Sequence, residues 1–248
     1  FANIAHGCNS VMATAAALEY GDYAITEAGF GADLGAEKFY DIKCRKTGLQ
    51  PDLTVLVVTL QALKMHGGVA LEDIKEPNIA GMENGYWNLD KHVRNLQSFG
   101  QTVVIAFNKF ATDTDEEIEV LRKHCEEMGC GFAVNSAFAE GGKGAVELAE
   151  LVVKTIDERP SSPLYLAYGD DESVEKKIES VAFNLYGAGS VTLSDSAKAM
   201  IDEIKKFGAE KFPVCIAKTQ YSFSTDAKAY GPTDGFELHV RDITVNMG

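Results

Sequence analysis

Three glycines interleaved with carboxylates, in Tyr23-Ala-Ile-Thr-Glu27-Ala-Gly29-Phe30-Gly31-Ala-Asp33-Leu-Gly35-Ala-Glu37-Lys-Phe39, form the stretch of this chain best suited to chemistry. Glycine permits positive φ and close backbone approach to a ligand, and the amides that open a following helix attract an anion. Glu27 and Asp33 are carboxylates of the kind that hold a metal-bound phosphate or orient polar substrate atoms. The same residues also read as an acidic, glycine-containing turn.

Ligands of open parallel sheets sit beyond the carboxyl ends of the strands, so the elements ahead of each loop decide what the loops can do. The run Tyr23–Thr26 reads as a strand feeding the glycine-rich loop, with a helical pattern after it. Leu53–Thr59 and Thr102–Phe107 are almost continuously apolar and β-branched, as in strands buried on both faces of a parallel sheet. Gly131–Val134 is a weaker third strand. Helical spacing fills the intervals: about Leu89 to Phe99 ahead of Gly100, a helix after the cap Asp113-Thr114-Asp115 that ends at Gly129, and Ala145 to Ile156. This alternation gives an α/β fold, a parallel sheet flanked by helices. Pro160-Ser-Ser-Pro163 marks a boundary, dividing the chain into residues 1–160 and a smaller α+β unit over 161–248. The latter has helices at Ser173–Leu185 and Ser194–Phe207 and strands at Val214–Ala217 and Phe236–Val240.

The remaining strand-end loops carry their own chemistry. Leu60-Gln-Ala-Leu-Lys64-Met-His66-Gly67-Gly68 presents a cation and an imidazole ahead of a glycine pair, and also reads as a short helix ended by glycine. In Asn108-Lys109-Phe110-Ala111-Thr112-Asp113, the amide of Asn108 can donate to and accept from a purine edge. Phe138 follows the third strand as Phe110 follows the second, ahead of the flexible run Gly141-Gly142-Lys143-Gly144. Two such rings can clamp a flat heterocycle, or both can pack into a core.

Composition narrows the partners. The 248 residues carry a net charge of −14 with a pI near 4.8, which disfavours sequence-independent attraction to nucleic acid or to an acidic membrane surface. Five scattered cysteines without a C-x-x-C pair read as reduced thiols of a cytoplasmic protein, and with no H-x-x-x-H spacing a structural metal site is not expected. No apolar run approaches the ~20 residues of a membrane helix. The start at Phe1 and the end at Gly248 read as the boundaries of a fragment.

The longer motifs carry a resemblance. Glu27–Phe39, Asp41-Ile-Lys-Cys-Arg45, Ala62-Leu-Lys-Met-His-Gly-Gly68, the T-D-T-x-x-E of Thr112–Glu117, Gly141–Gly144, Ala217-Lys-Thr-Gln-Tyr-Ser222 and the opening F-A-N-I-A-H-G-C-N-S resemble formate–tetrahydrofolate ligase over essentially the whole chain. The resemblance implies a P-loop NTPase-like sheet and a homotetramer using ATP, Mg2+ and a monovalent cation (K+ or NH4+). In the implied reaction, formate attacks the γ-phosphate of ATP and N10 of tetrahydrofolate takes the formyl group from formyl phosphate. It places Phe30, Phe110 and Phe138 around the pterin, Glu27 and Asp33 near phosphate and metal, Asn108 near the base, and Gly141 and Gly142 among the ligand-binding positions.

Three departures from the family pattern stand at Gln61, Ala111 and Phe138, where arginine, proline and tryptophan are usual. A freer loop and a smaller stacking face predict weaker folate binding. The chain contains no G-x-x-x-x-G-K-[ST], so on this reading the fragment alone is inactive. The competing reading is a non-catalytic folate- or nucleotide-binding or assembly domain.

Overall fold

The computed structural model describes residues 11–29 and 31–246. The chain divides into two compact units, one of residues 51–164 with 230–232 and one of residues 1–50, 165–229 and 233–248. This partition assigns residues 1–50 differently from a single boundary at 160. The reason is a helix that buries its polar face against residues distant in sequence: Asp41 Oδ1 accepts from Ala167 N at 2.9 Å, and Arg45 donates to Tyr168 O at 2.7 Å.

That helix, α2 (residues 31–47), follows an exposed α1 (Val11–Tyr20). Its turns are wide, of the i→i+5 kind, over Gly31–Ala36 and Phe39–Cys44. Tyr23–Thr26 is irregular and not a strand, although its residues are β-formers; Ile25 is 93% exposed, so no sheet face claims it.

In the first-named unit, β1 (Thr54–Val58), β2 (Val103–Asn108) and β3 (Gly131–Asn135) form a parallel sheet in the order β1-β2-β3. Its register sets Val58 beside Phe107 and Asn108 beside Asn135, so the strand ends come level. β2 is buried on both faces, as the apolar run predicts. β1 differs: Val55 and Val57 are exposed, which is the alternation of a strand covered on one side.

The crossovers are α3 (Leu60–His66), α4 (Ile79–Asn84) and α5 (Tyr86–Ser98) between β1 and β2 and α6 (Asp115–Glu127) between β2 and β3; the short α7 (Ala137–Glu140) and α8 (Val146–Glu158) follow the last strand. Side-chain caps fix their starts: Thr59 Oγ1 accepts from Ala62 N at α3, Asn78 Oδ1 from Gly81 N at α4, and Thr114 with Glu117 builds a reciprocal capping box at α6.

The second unit contains α9 (Val174–Val181), β4 (Ser190–Leu193), α10 (Asp195–Phe207) and β5 (Glu237–Val240), with β4 and β5 paired in parallel. Its core gathers Val174, Ile178, Ala182, Ile201, Ile204 and Leu238. Val214–Ala217 forms no strand and lies outside any sheet; Val214 and Ile216 pack on that core, and Val214 N donates to the Tyr168 hydroxyl at 3.1 Å. The strand β4, short and half polar, is not anticipated by the sequence reading. No described helix is long and apolar enough to cross a membrane.

Candidate functional site

At the carboxyl ends of β2 and β3, the sheet presents two aromatic rings. Phe110 is 44% exposed and Phe138 fully exposed. Burying a phenylalanine fully is worth about 1.5–3 kcal/mol, which Phe138 forgoes and Phe110 gains only in part, so neither ring is a core residue.

The loop under Phe110 is a closed turn: Phe110 N donates to Asp113 Oδ2 at 2.8 Å, and Asp113 N returns a bond to Phe110 O at 3.1 Å. Burial pushes the Asp113 carboxyl above its usual range, opposed by the Phe110 N–H and the Lys64 charge. Asn108 is half-buried, and its Oδ1 accepts from Asn135 Nδ2 at 2.8 Å across the strand pair. Phe138 rides on α7, behind which Ser136 N donates to Gly144 O at 3.0 Å and closes the glycine loop. Gly141 and Gly142 are exposed, with no atom near where a side chain would begin, and the Gly141 N–H donates to Ala137 O at the end of α7.

Beneath these loops lies an ion pair that the sequence reading missed. Lys64 and Glu117, each 1% exposed, meet at 2.6 Å, and Lys64 Nζ also donates to Glu76 O at 2.7 Å. Glu117 Oε1 accepts from Asn78 N at 2.8 Å, and Oε2 from the Thr114 hydroxyl at 2.8 Å. Burial works to raise the Glu117 carboxyl, but the Lys64 bond and the Asn78 and Thr114 donors outweigh it, and the net shift is downward. The T-x-x-E spacing of a capping box is the signal that marks Glu117.

In the other unit, Glu27 is exposed and accepts from Gly29 N at 2.8 Å. Gly29 and Gly31 have positive φ (84° and 73°), as the loop reading requires, and Gly35 lies so close to the Ala28 carbonyl that a side chain there has no room. Asp33 is 4% exposed and paired with Lys218 at 2.7 Å. Lys218 also donates to Ser222 O at 2.6 Å and stands over the Tyr186 ring at 4.8 Å. Phe30 lies outside the described residues. Among the described residues no cluster of three or more His, Cys, Asp or Glu side chains is placed to hold a metal ion.

Thus Asn108, Phe110, Phe138, Gly141 and Gly142 share one sheet edge, while Glu27 and Asp33 share the loop of the second unit. The sequence profile of a family described as formate–tetrahydrofolate ligase matches residues 1–248. Curated proteins named formate–tetrahydrofolate ligase are 65% identical in Bacteroides fragilis, 64% in Bacteroides thetaiotaomicron and 58% in Porphyromonas gingivalis, each over all of this chain. The chain spans 45% of the length of these relatives.

Proposed function

Because this chain belongs to the formate–tetrahydrofolate ligase family, we propose that it supplies the folate-facing loops and part of the nucleotide site of an ATP-dependent ligase. Two exposed rings at adjacent parallel strand ends are the observation that carries this reading. Formate attacks the γ-phosphorus of ATP, giving formyl phosphate and ADP. N10 of tetrahydrofolate then attacks the formyl carbon, the bond to the phosphate oxygen breaks, and N10 gives up its proton to leave 10-formyltetrahydrofolate and phosphate.

In this scheme Phe110 and Phe138 stack on the pterin and the loop of Gly141 and Gly142 borders it, while Phe30 is a folate-binding candidate on the family resemblance alone. Asn108 faces the base. Glu27, open to solvent on its loop, is free to meet a magnesium-bound phosphate, which needs few protein carboxylates. Asp33 acts through Lys218, holding that ammonium in place. The chemistry demands positioning and charge stabilisation more than covalent help. Activation by K+ or NH4+, a homotetramer and a cytoplasmic location belong to the same proposal.

The complete polypeptide carrying these residues is expected to release ADP over many turnovers only when formate and tetrahydrofolate are both present. Equal ADP release without formate rejects the reading. Phe138→Ala and Phe110→Ala are each expected to raise the KM for tetrahydrofolate about tenfold or more, since each removes an aromatic contact and its buried area. Phe138→Trp, with a larger stacking face, is expected to lower it. A folate KM indifferent to all three substitutions removes the rings from the site.

A further inference from the structure

We propose that Lys64 is a positioning residue for tetrahydrofolate binding, acting through Glu117 to hold the loop that presents Phe110. The inference rests on the reading that Phe110 stacks on the pterin.

A buried ion pair is a poor device for stability alone, since both charges lose their water and an apolar pair of equal size serves folding as well or better. What distinguishes this pair is where its bonds go. Lys64 comes from α3, at the end of β1. Its ammonium is fixed by Glu117 Oε1 at 2.6 Å and Glu76 O at 2.7 Å. Glu117 in turn takes Asn78 N at 2.8 Å on Oε1, and the hydroxyl and amide of Thr114 at 2.8 and 3.3 Å on Oε2. Thr114 directly follows Asp113, whose carboxylate takes Phe110 N at 2.8 Å. These contacts, joined by the peptide bond between Asp113 and Thr114, therefore lead from α3 after β1 to the backbone N–H of Phe110 at the end of β2.

The capping box by itself needs only Thr114 and Glu117. Lys64 adds neutralisation of a carboxylate that is almost wholly buried, fixing its orientation so that both oxygens stay on their donors. Without the cation, Glu117 turns to water or takes up a proton, and the Thr114 end of the loop is released. A loop that must be ordered on binding weakens affinity without altering the chemical step.

The test uses the complete enzyme with Lys64→Met/Glu117→Gln, which removes both charges while keeping size, and Glu117→Gln alone, which keeps the Lys64 bond to Glu76 but leaves that buried charge without its counter-ion. Each is examined with and without Phe110→Ala. The expected result is a KM for tetrahydrofolate raised about tenfold in the double variant, with kcat and the KM for ATP little changed. In the Phe110→Ala background the same substitutions add nothing to the folate KM, because they act through that ring. In the ligand-free enzyme, hydrogen exchange quickens over residues 108–117 and around Glu76 and Asn78, which lose the same partners, and not elsewhere.

An unchanged folate KM, a loss confined to kcat, or full additivity with Phe110→Ala overturns the proposal while leaving the stacking role of Phe110 intact. If Phe110→Ala itself leaves the folate KM unchanged, the stacking reading fails and the proposal falls with it. Unaltered exchange over 108–117 in both variants also refutes it.

Discussion

Gly67→Ala is expected to cost about 3 kcal/mol or more of stability, at or beyond the upper end of ordinary overpacking, although the change adds one methyl group. The backbone of Gly67 is unstrained (φ −80°, ψ 3°), so the cost is entirely one of space. A Cβ there stands 1.8 Å from the Gly81 carbonyl oxygen, and one on Gly85 stands 2.0 Å from the Leu63 oxygen. These glycines let the end of α3, the body of α4 and the start of α5 touch backbone to backbone. Leu60, Leu63, Met82 and Leu89, all nearly inaccessible, pack around that contact. Forcing the helices apart opens this packing and withdraws Lys64, one turn earlier on α3, from Glu117.

The neighbouring glycine is the control. Gly68 has φ +85° with open space around it, so Gly68→Ala meets only the left-handed backbone penalty of about 1–2 kcal/mol. Urea unfolding measures both, with slopes of about 1–3 kcal/mol per molar. A midpoint shift for Gly67→Ala no larger than that for Gly68→Ala contradicts the packing account.

The same motif shows what a sequence discloses and what it hides. Lys64-Met-His-Gly-Gly68 reads as a helix ended by glycine, and α3 ends there because the spacing of apolar residues and the stop residue are local signals. The three parallel strands are legible for a related reason: a run such as Val103–Phe107 has no polar residue to offer water on either face. Tyr23–Thr26 and Val214–Ala217 carry the same kind of residues and form no strand, because β-propensity reports fitness for a pleated surface and supplies no neighbour to pair with.

The candidate site divides along the same line. Phe110 and Phe138 stand out because their type contradicts their position just past a strand. Asp33 and Lys64 are visible in the sequence as charged loop residues and Glu117 as a cap, but that Lys64 pairs with Glu117 and Asp33 with Lys218 is not. Opposite charges far apart in sequence carry no periodicity, and pairing them requires the tertiary structure.

Glu37 gives the second large effect, and its sign is opposite to that of a typical carboxylate. Glu37 is 1% exposed on α2, and Asp41, one turn on, is fully buried. Burial raises Glu37 to about 8, opposed by the Lys38 ammonium 3.5 Å away and reinforced by the Asp41 charge. Asp41 is raised to about 6, again chiefly by burial, against the Ala167 N–H and Arg45 at 3.2 Å. With both groups ionised neither has a hydrogen to give the other. With Glu37 protonated, its hydroxyl can donate to the Asp41 carboxylate, which favours the proton on Glu37 and the charge on Asp41.

The folded protein then holds a proton that the unfolded chain releases near the ordinary glutamate value of 4.5. This contribution is complete below that value and is lost as pH rises toward about 8, at a slope of at most about 1.4 kcal/mol per pH unit. Asp41 adds to the decline only up to about 6, so the range from 6 to 8 isolates Glu37. Glu37→Gln keeps a neutral donor of the same size and has no proton to lose. Its stability minus that of the unmodified protein is expected to climb across this range, and the variant should be the more stable of the two above pH 8. Because histidines and surface groups are common to both proteins, they cancel in that difference. A difference that stays flat from pH 6 to pH 8 shows that Glu37 is ionised in the folded state and that Lys38 alone carries its charge.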